Sequence, residues 1–132
     1  MILELMKMMI YEKIPLKIMF NIKRRKADIE YSKWLRKERE YICEKCGKIE
    51  EGGMQVSHFW GRKNESVRFD PENTDVLCFF CHNYFTQNPA AYSEWKKEKI
   101  GERAYKLLMV RANTTQKKDD KKVLIWLKNV IK

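Results

Sequence analysis

The alternation of apolar and polar positions predicts amphipathic helices around a short stretch of strand. From Ala27 to Tyr41, apolar and aromatic side chains recur at nearly helical spacing, and lysine and arginine occupy the other face. From Met54 to Ser57 the two classes alternate one by one, which is typical of a strand, and the run from Met54 to Phe59 fits a strand ending at His58. Val67 to Phe69 alternate in the same way, so a second short strand is expected there.

Caps and apolar faces predict helices in the second half of the chain. Asn88 is suited to cap a helix whose first residue is Pro89 and which continues to Gly101. A following helix has one face spaced for burial, and a tail helix has one apolar face. Those faces comprise Ala104, Leu107, Leu108 and Arg111 in the first, and Val123, Trp126, Leu127, Val130 and Ile131 in the second. The tail face should dock either on the core of the chain or on a second subunit, which would make a homodimer.

The chain is predicted to have three parts. Residues 1–26 comprise an apolar segment and a basic arm, residues 27–112 the main domain, and residues 113–132 a linker and the tail helix. The apolar segment, interrupted at Pro15, fits a strand or a short docking helix. Its charged residues make it too polar to span a bilayer, although it could lie on a membrane surface. The protein is therefore expected to be cytoplasmic and to have no membrane partner.

The charge balance indicates a polyanionic partner. The chain has 28 lysine and arginine residues against 18 acidic ones, a formal net charge of +10. Such an excess is expected of proteins that bind nucleic acid, although a solvated basic surface would give the same count. The consecutive residues Lys23, Arg24, Arg25 and Lys26 form either a solvated linker or an arm that contacts phosphates. The sequence supports these two alternatives equally.

The four cysteines predict a structural zinc site. They form two C-x2-C pairs, and the chain has no other cysteine. Two such pairs supply the four thiolates that close a tetrahedron around zinc and leave no position for a catalytic water. Gly47 follows the first pair and permits the positive φ that this kind of turn often needs. The predicted ligands are Cys43, Cys46, Cys78 and Cys81.

The two histidines of the chain lie close to these cysteines in sequence and suggest phosphodiester hydrolysis. That reaction needs a base for the attacking water and a cation at the phosphate. A neutral imidazole suits the base at cellular pH, so His58 is the candidate. His82 is a candidate ligand for a catalytic Mg²⁺ or Mn²⁺, or else supports the zinc site by a hydrogen bond. Asn73 cannot act as a base, but its amide can bond backbone on both sides of a loop and hold His58 in place.

The order of these motifs resembles a known class of nucleases. The run from Cys43-x2-Cys46 through His58 and Asn73 to Cys78-x2-Cys81-His82 is similar to the zinc-containing HNH endonucleases. This resemblance implies an α+β fold, in which a small zinc-stapled ββα-metal hairpin and helix are flanked by further α-helices. Three shorter motifs resemble the phage NinG (Rap) recombination nucleases. They are Trp34 to Arg39, Val67 to Asn73, and Tyr92 together with Lys99 to Arg103.

The resemblance implies a metal-dependent DNA endonuclease that cleaves branched recombination intermediates such as Holliday junctions and D-loops. Residues 27–112 would then be the nuclease domain, working in the host cell if a phage encodes the protein. Arg62, Lys63 and Arg68 are expected to contact DNA near the cleaved phosphate, and Lys23 to Lys26 further out. Two alternatives stay open: a restriction-type HNH endonuclease that reads sequence, and a zinc-containing DNA-binding module without cleavage.

One position departs from the HNH pattern. Many of those enzymes have an acidic residue or a histidine directly before the base, and this chain has Ser57. A hydroxyl is a poor magnesium ligand beside a carboxylate. Water and phosphate oxygens, or the side chains of Asp70, Asp75 or Asn83, would therefore have to complete the coordination of an ion at His82. Weak metal binding in the absence of DNA is the expected consequence.

Overall fold

The structure, a computed structural model, describes residues 24–114 and 119–130. In chain order the elements are α1 (Lys26–Glu38), β1 (Gln55–His58), a 3-10 helix (Glu65–Val67), β2 (Thr74–Leu77), α2 (Phe79–Gln87), α3 (Pro89–Ile100), α4 (Glu102–Ala112) and α5 (Asp120–Val130). The described residues therefore form a mixed α+β fold. None of their helices is long and apolar enough to cross a membrane. The predictions for the apolar N-terminal segment and for Lys23 lie outside the described residues.

A hydrogen bond at the start of helix α1 and a change of backbone conformation after its end set the two bounds of the helix. The backbone N–H of Arg25 donates to the carboxylate of Asp28 at 2.7 Å, which satisfies one of the groups left open at a helix start. The helix ends at Glu38 because Glu40 and Tyr41 adopt positive φ values of 57° and 55°. Its buried face comprises Ala27, Asp28, Tyr31, Ser32 and Leu35.

Strands β1 and β2 form an antiparallel hairpin. Ser57 lies opposite Asp75, and His58 lies opposite Thr74. Successive side chains of a strand point to opposite faces, so Ser57 and His58 are directed to different sides of the hairpin. The strand predicted to end at His58 is confirmed. Helix α2, which follows β2 directly, begins at the second cysteine pair with Cys78 as its N-cap.

The second strand predicted at Val67 to Phe69 is wrong. The 3-10 helix ends at Val67, and the strand that pairs with β1 is Thr74–Leu77 instead. Alternation suggested a strand with one buried face, but Val67, Arg68 and Phe69 are all buried. Val67 packs in a cluster with Leu108, whereas Phe69 packs in the main core. A strand would direct Val67 and Phe69 to the same face, whereas a compact turn directs them to separate clusters.

The tail helix α5 packs on α1 within the same chain. Leu127 is 2% exposed and belongs to the main core, and the rings of Trp126 and Trp34 approach to 4.8 Å between centroids. Of the two predicted uses of the apolar tail face, docking on the core is thus the one that the structure contains. Trp126 and Val130 stay about two-fifths exposed, and Ile131 lies outside the described residues. A homodimer stays a prediction.

The boundary between α3 and α4 follows the sequence, but the buried face of α4 does not. Asn88 precedes α3 with Pro89 in the first turn, as predicted, and Gly101 separates the helices with a φ of +87°. On α4 the fully buried residues are Leu108 and Ala112, whereas Leu107 is half exposed. The predicted face was therefore offset, because α4 rests on the 3-10 helix and α3 along one narrow side.

Candidate functional site

The four cysteine sulfur atoms lie together, as the sequence predicted. All lie within 4.8 Å of one another, and the sulfurs of Cys46 and Cys78 are 3.7 Å apart. A zinc ion with Zn–S bonds of about 2.3 Å in a tetrahedron needs sulfur separations of about 3.8 Å. The donor set and its spacing therefore fit a metal such as zinc. Its members are Cys43, Cys46, Cys78 and Cys81.

The backbone of the first pair prepares the cysteines for a metal. Gly47 has a φ of +80°, and its N–H donates to the carbonyl of Cys43 at 2.9 Å, which closes the turn. Burial would raise the pKa of the Cys43 thiol, but N–H groups of Cys46 and Cys78 outweigh it and lower that pKa to about 7. A thiol that ionises near neutrality binds metal with little cost of deprotonation.

Glu44 attaches this turn to the hairpin. Its N–H donates to the carbonyl of Val76 at 2.9 Å, and its carboxylate accepts the N–H of Val76 at 2.5 Å. The same carboxylate pairs with Arg39 at 2.8 Å and with Lys99 at 2.7 Å. The cysteine cluster, β2 and α3 are therefore joined into one support for the histidines.

Both histidines line one cavity of about 400 Å³. Arginines from three places also line it: Arg24 before α1, Arg36 on α1 and Arg62 after β1. Polar groups of Asp28, Ser32 and Gln55 complete its polar lining. A cavity with two imidazoles and three guanidinium groups suits a phosphate group, which offers several acceptor oxygens and negative charge.

Hydrogen bonding and burial place His58 in the state that a base needs. Its Nε2 lies 3.0 Å from the carbonyl of Arg68. Because a carbonyl can only accept, Nε2 carries the hydrogen, and the neutral ring keeps a lone pair on Nδ1. Burial and the nearby charge of Arg62 lower the pKa of His58 to about 4. The imidazole is therefore neutral throughout the cellular pH range.

Gln55 fixes the orientation of His82. Its side-chain oxygen accepts a hydrogen bond from Nδ1 of His82. The neutral ring therefore carries its lone pair on Nε2, the arrangement found in metal-binding histidines whose other nitrogen donates to a protein oxygen. Burial, followed by the charge of Arg62, lowers the pKa of His82. His82 can thus offer one nitrogen to an ion.

Asn73 braces the loop between the strands. It is fully buried, and its Nδ2 donates to the carbonyls of Trp60 at 2.9 Å and Val67 at 3.0 Å. Its Oδ1 accepts the N–H of Trp60 at 2.8 Å. These contacts join the segment after His58 to the 3-10 helix. They are the backbone contacts on both sides of a loop that the sequence suggested, and a role in catalysis stays a prediction.

Arg62 is the predicted DNA contact that lies best for a phosphate. It lines the cavity, and its charge lowers the pKa of both histidines. The Oδ1 atom of Asp28 lies 3.9 Å from Nε of Arg62, beyond hydrogen-bonding distance. The buried Nε–H of Arg62 has no hydrogen-bond partner in the described part of the chain. A phosphate oxygen would satisfy that donor.

Arg68, a predicted DNA contact, is buried among acidic partners. It is 3% exposed, and its guanidinium bonds both oxygens of Asp28 at 2.8 and 2.5 Å and pairs with Glu65 at 3.3 Å. A buried charge requires a partner, and Asp28 supplies it. Arg68 ties α1 to the loop, and its carbonyl holds His58. A contact of Arg68 with DNA stays a prediction.

The basic cluster separates into different environments. Arg24 lines the cavity, whereas Arg25 bonds Glu65 at 2.9 Å and pairs with Asp120 at 3.1 Å. Lys26 is exposed at the start of α1, and Lys63 is exposed on the loop. Only Arg24 of the described cluster therefore borders the histidines. Contacts of the others with DNA stay predictions.

The acidic candidates for the catalytic ion do not reach the cavity. The carboxylate of Asp75 is fully buried and pairs with Lys96 at 2.9 Å and Lys99 at 2.5 Å. Tyr92 donates from its hydroxyl to this carboxylate at 2.6 Å, and the hydroxyl of Ser57 lies 3.0 Å from the same Tyr92 oxygen.

Asp70 pairs with Arg111 at 2.9 Å. Asn83 is exposed on α2 beside His82. Among the residues that the structure describes, Asp28 is the acidic side chain that lines the cavity, and Arg68 binds it.

Several polar residues of the cavity were not predicted from the sequence: Asp28, Ser32, Arg36 and Gln55. Asp28 and Arg36 belong to α1, which was interpreted only as a packing helix with a charged face. Gln55 lies in the strand that was predicted, but its side chain was given no role. The available signal was the charged face of α1, but its position over the hairpin depends on contacts between residues far apart in the sequence.

Comparison with known proteins gives one family. The model of the family described as "Bacteriophage Lambda NinG protein" matches residues 17–129. No curated protein and no solved structure matches the chain.

Proposed function

The chain belongs to the bacteriophage lambda NinG family, and from this premise we propose that it is a metal-dependent DNA endonuclease. The single observation that carries the proposal is the cavity in which His58, His82 and three arginines meet. The order hairpin then helix, with a histidine on each, is the arrangement expected of a ββα-metal nuclease. We further propose branched recombination intermediates as substrates, in keeping with the motifs that resemble recombination nucleases.

The proposed reaction uses the free ring nitrogens. Nδ1 of His58 takes a proton from the attacking water, since Nε2 donates to the carbonyl of Arg68. The water oxygen bonds to phosphorus as the bond from phosphorus to the leaving DNA oxygen breaks, and the leaving oxygen takes a proton from solvent. Arg62 donates to a phosphate oxygen as negative charge develops there. Nε2 of His82, with water and phosphate oxygens, would hold Mg²⁺ or Mn²⁺. When bound, such an ion supplies positive charge at the scissile phosphate. The four cysteines would hold zinc as a structural support only.

A zinc-containing DNA-binding module without cleavage is the second candidate, and one observation favours it. Ser57 and Asp75 both bond the hydroxyl of Tyr92 in the core, and Asp28 is paired with Arg68. An ion in the cavity would thus depend on His82, water and the DNA for its ligands. Such a site binds metal weakly, and a module that only binds DNA has no need of one.

The test is a cleavage assay that compares a four-way junction, a flap and a linear duplex with Mg²⁺ or Mn²⁺. Wild-type protein should cut the branched substrates preferentially. The variant His58→Ala should lose about a hundredfold to ten-thousandfold in rate, because the general base is gone. Its zinc content, thermal melt and DNA affinity should stay close to wild type. Near-normal turnover in that variant would remove His58 from the reaction, and binding without any cleavage would favour the second candidate.

A further inference from the structure

Two adjacent phenylalanines begin helix α2 on the outside of the molecule. Phe79 is 59% exposed and Phe80 is 74% exposed, and their rings lie edge to face with centroids 5.8 Å apart. A single exposed apolar residue needs no explanation, but adjacent aromatic rings form a patch that marks a contact surface. Nothing in the packing of α2 requires them there, since its buried residues are Cys81 and Phe85.

The patch adjoins the cavity. Phe79 stands three residues before His82, so the two side chains are neighbours on one face of the helix. Phe80 stands four residues before Tyr84, which is 47% exposed, and the ammonium of Lys45 lies 5.1 Å from the Tyr84 ring. An aromatic strip with a cation beside it therefore continues from the histidines along α2.

The positive charge around the aromatic strip favours nucleic acid as its ligand. The cavity brings Arg24, Arg36 and Arg62 together, and the chain carries a net charge of +10. Aromatic faces beside a basic groove are the arrangement by which proteins bind nucleic acid whose bases are unpaired. A paired duplex keeps its bases stacked on each other, whereas an unpaired base has a free face.

Building on the proposed function, we propose that Phe79 and Phe80 stack on unpaired bases of DNA next to the phosphate in the cavity. The two rings would then favour flaps and gaps, which offer unpaired bases beside a phosphate, over continuous duplex. The preference arises in binding and does not depend on the cleavage step. It can therefore be measured without a catalytic ion.

The experiment measures DNA binding by fluorescence anisotropy in buffer without added Mg²⁺ or Mn²⁺. Two duplexes of equal length are compared, one fully paired and one with a short unpaired bulge that contains 2-aminopurine. Wild-type protein should prefer the bulged DNA and quench the 2-aminopurine. Each stacked base should account for about five- to 150-fold in affinity. The double variant Phe79→Ala with Phe80→Ala should lose the preference and the quenching.

Two control variants separate stacking from general effects. Phe79→Trp with Phe80→Trp keeps flat aromatic faces and should retain the preference. Val110→Ala removes an apolar side chain that is 63% exposed on α4, away from the cavity, and should change neither affinity nor quenching. Thermal melts and zinc content establish that each variant is folded.

An unchanged preference in the double alanine variant would overturn the inference. The inference would also be overturned if the double alanine variant lost self-association in sedimentation but kept its preference for bulged DNA. That result would assign the patch to a second copy of the chain. Either outcome leaves the proposed endonuclease in place if wild-type protein still cleaves DNA. Wild-type protein that binds neither duplex would instead overturn the proposed function itself.

Discussion

At the residue scale, the charge of Arg62 acts directly on His58. Burial of the ring and the positive charge of Arg62 lower the pKa of His58 to about 4, below its ordinary value near 6.5. The imidazole of His58 thus stays unprotonated at pH values where an exposed histidine would be charged. Arg62 would therefore have two effects in the proposed site, since it would bind phosphate and would keep the proposed base unprotonated.

The variant Arg62→Gln should move the pH profile of cleavage. In wild-type protein, kcat/KM should persist as the pH is lowered past 6.5 and should fall only towards 4. Removing the positive charge raises the pKa of His58, so the variant should lose activity at a higher pH. If kcat/KM fell at the same low pH in both proteins, that result would contradict the effect of Arg62 on the pKa of His58.

That measurement needs a control for protein stability, because the free energy of unfolding also depends on pH. Because the folded pKa of His58 is depressed, the unfolded chain binds the proton more readily between pH 6.5 and about 4. The free energy of unfolding therefore decreases as the pH falls through this window. Thermal melts at each pH separate a loss of the base from a loss of folded protein.

At the element scale, a buried ionic network holds α3 beneath the hairpin. Asp75 on β2 and Lys96 on α3 have no exposed side-chain surface and lie 2.9 Å apart. Tyr92 and Lys99 of α3 also bond Asp75, and Tyr92 reaches Ser57 on β1. Burial would raise the pKa of Asp75, but the two lysines outweigh it and lower that pKa. The hairpin face opposite His58 is therefore fixed by charge and hydrogen bonds.

The variant Asp75→Asn should destabilise the fold strongly. It keeps the shape of the side chain but leaves the ammonium of Lys96 buried without its carboxylate, which costs about 3–5 kcal/mol. The control Lys106→Gln removes an exposed ion pair with Glu102 and should change stability by less than about 1 kcal/mol. Urea unfolding measures both. Equal stability of the two variants would mean that the network does not support the hairpin.

The elements differ in how far the sequence predicts them. The cysteine pairs, β1 and the start of α3 depend on residues close in sequence, so local patterns were sufficient. Arg68 was expected to contact DNA, and its burial was not foreseen because its partner Asp28 lies 40 residues away. Arg36 and Gln55 reach the cavity only because α1 packs against β1. Such contacts leave no periodic signal, and a single sequence does not contain them.

At the scale of the whole molecule, the tail helix completes the core. Leu127 packs in the same cluster as Ala27, Tyr31 and Leu35 of α1. Leu127→Ala should therefore lower the free energy of unfolding by about 2–5 kcal/mol. Ile125→Ala on the same helix removes a side chain that is 60% exposed and should have little effect. Sedimentation should accompany the melts, because a shift to monomer without loss of stability would assign the helix to a second subunit.

The cysteine cluster joins parts of the chain that are distant in sequence, so its loss should affect the whole molecule. Cys43→Ser should remove zinc, lower the melting temperature and abolish cleavage indirectly. Ile49→Ala, which alters a 72% exposed side chain near the same turn, should keep all three properties. His58→Ala should lose cleavage alone. This contrast separates structural support from chemistry, and wild-type protein free of zinc by elemental analysis would refute the assignment of the cluster.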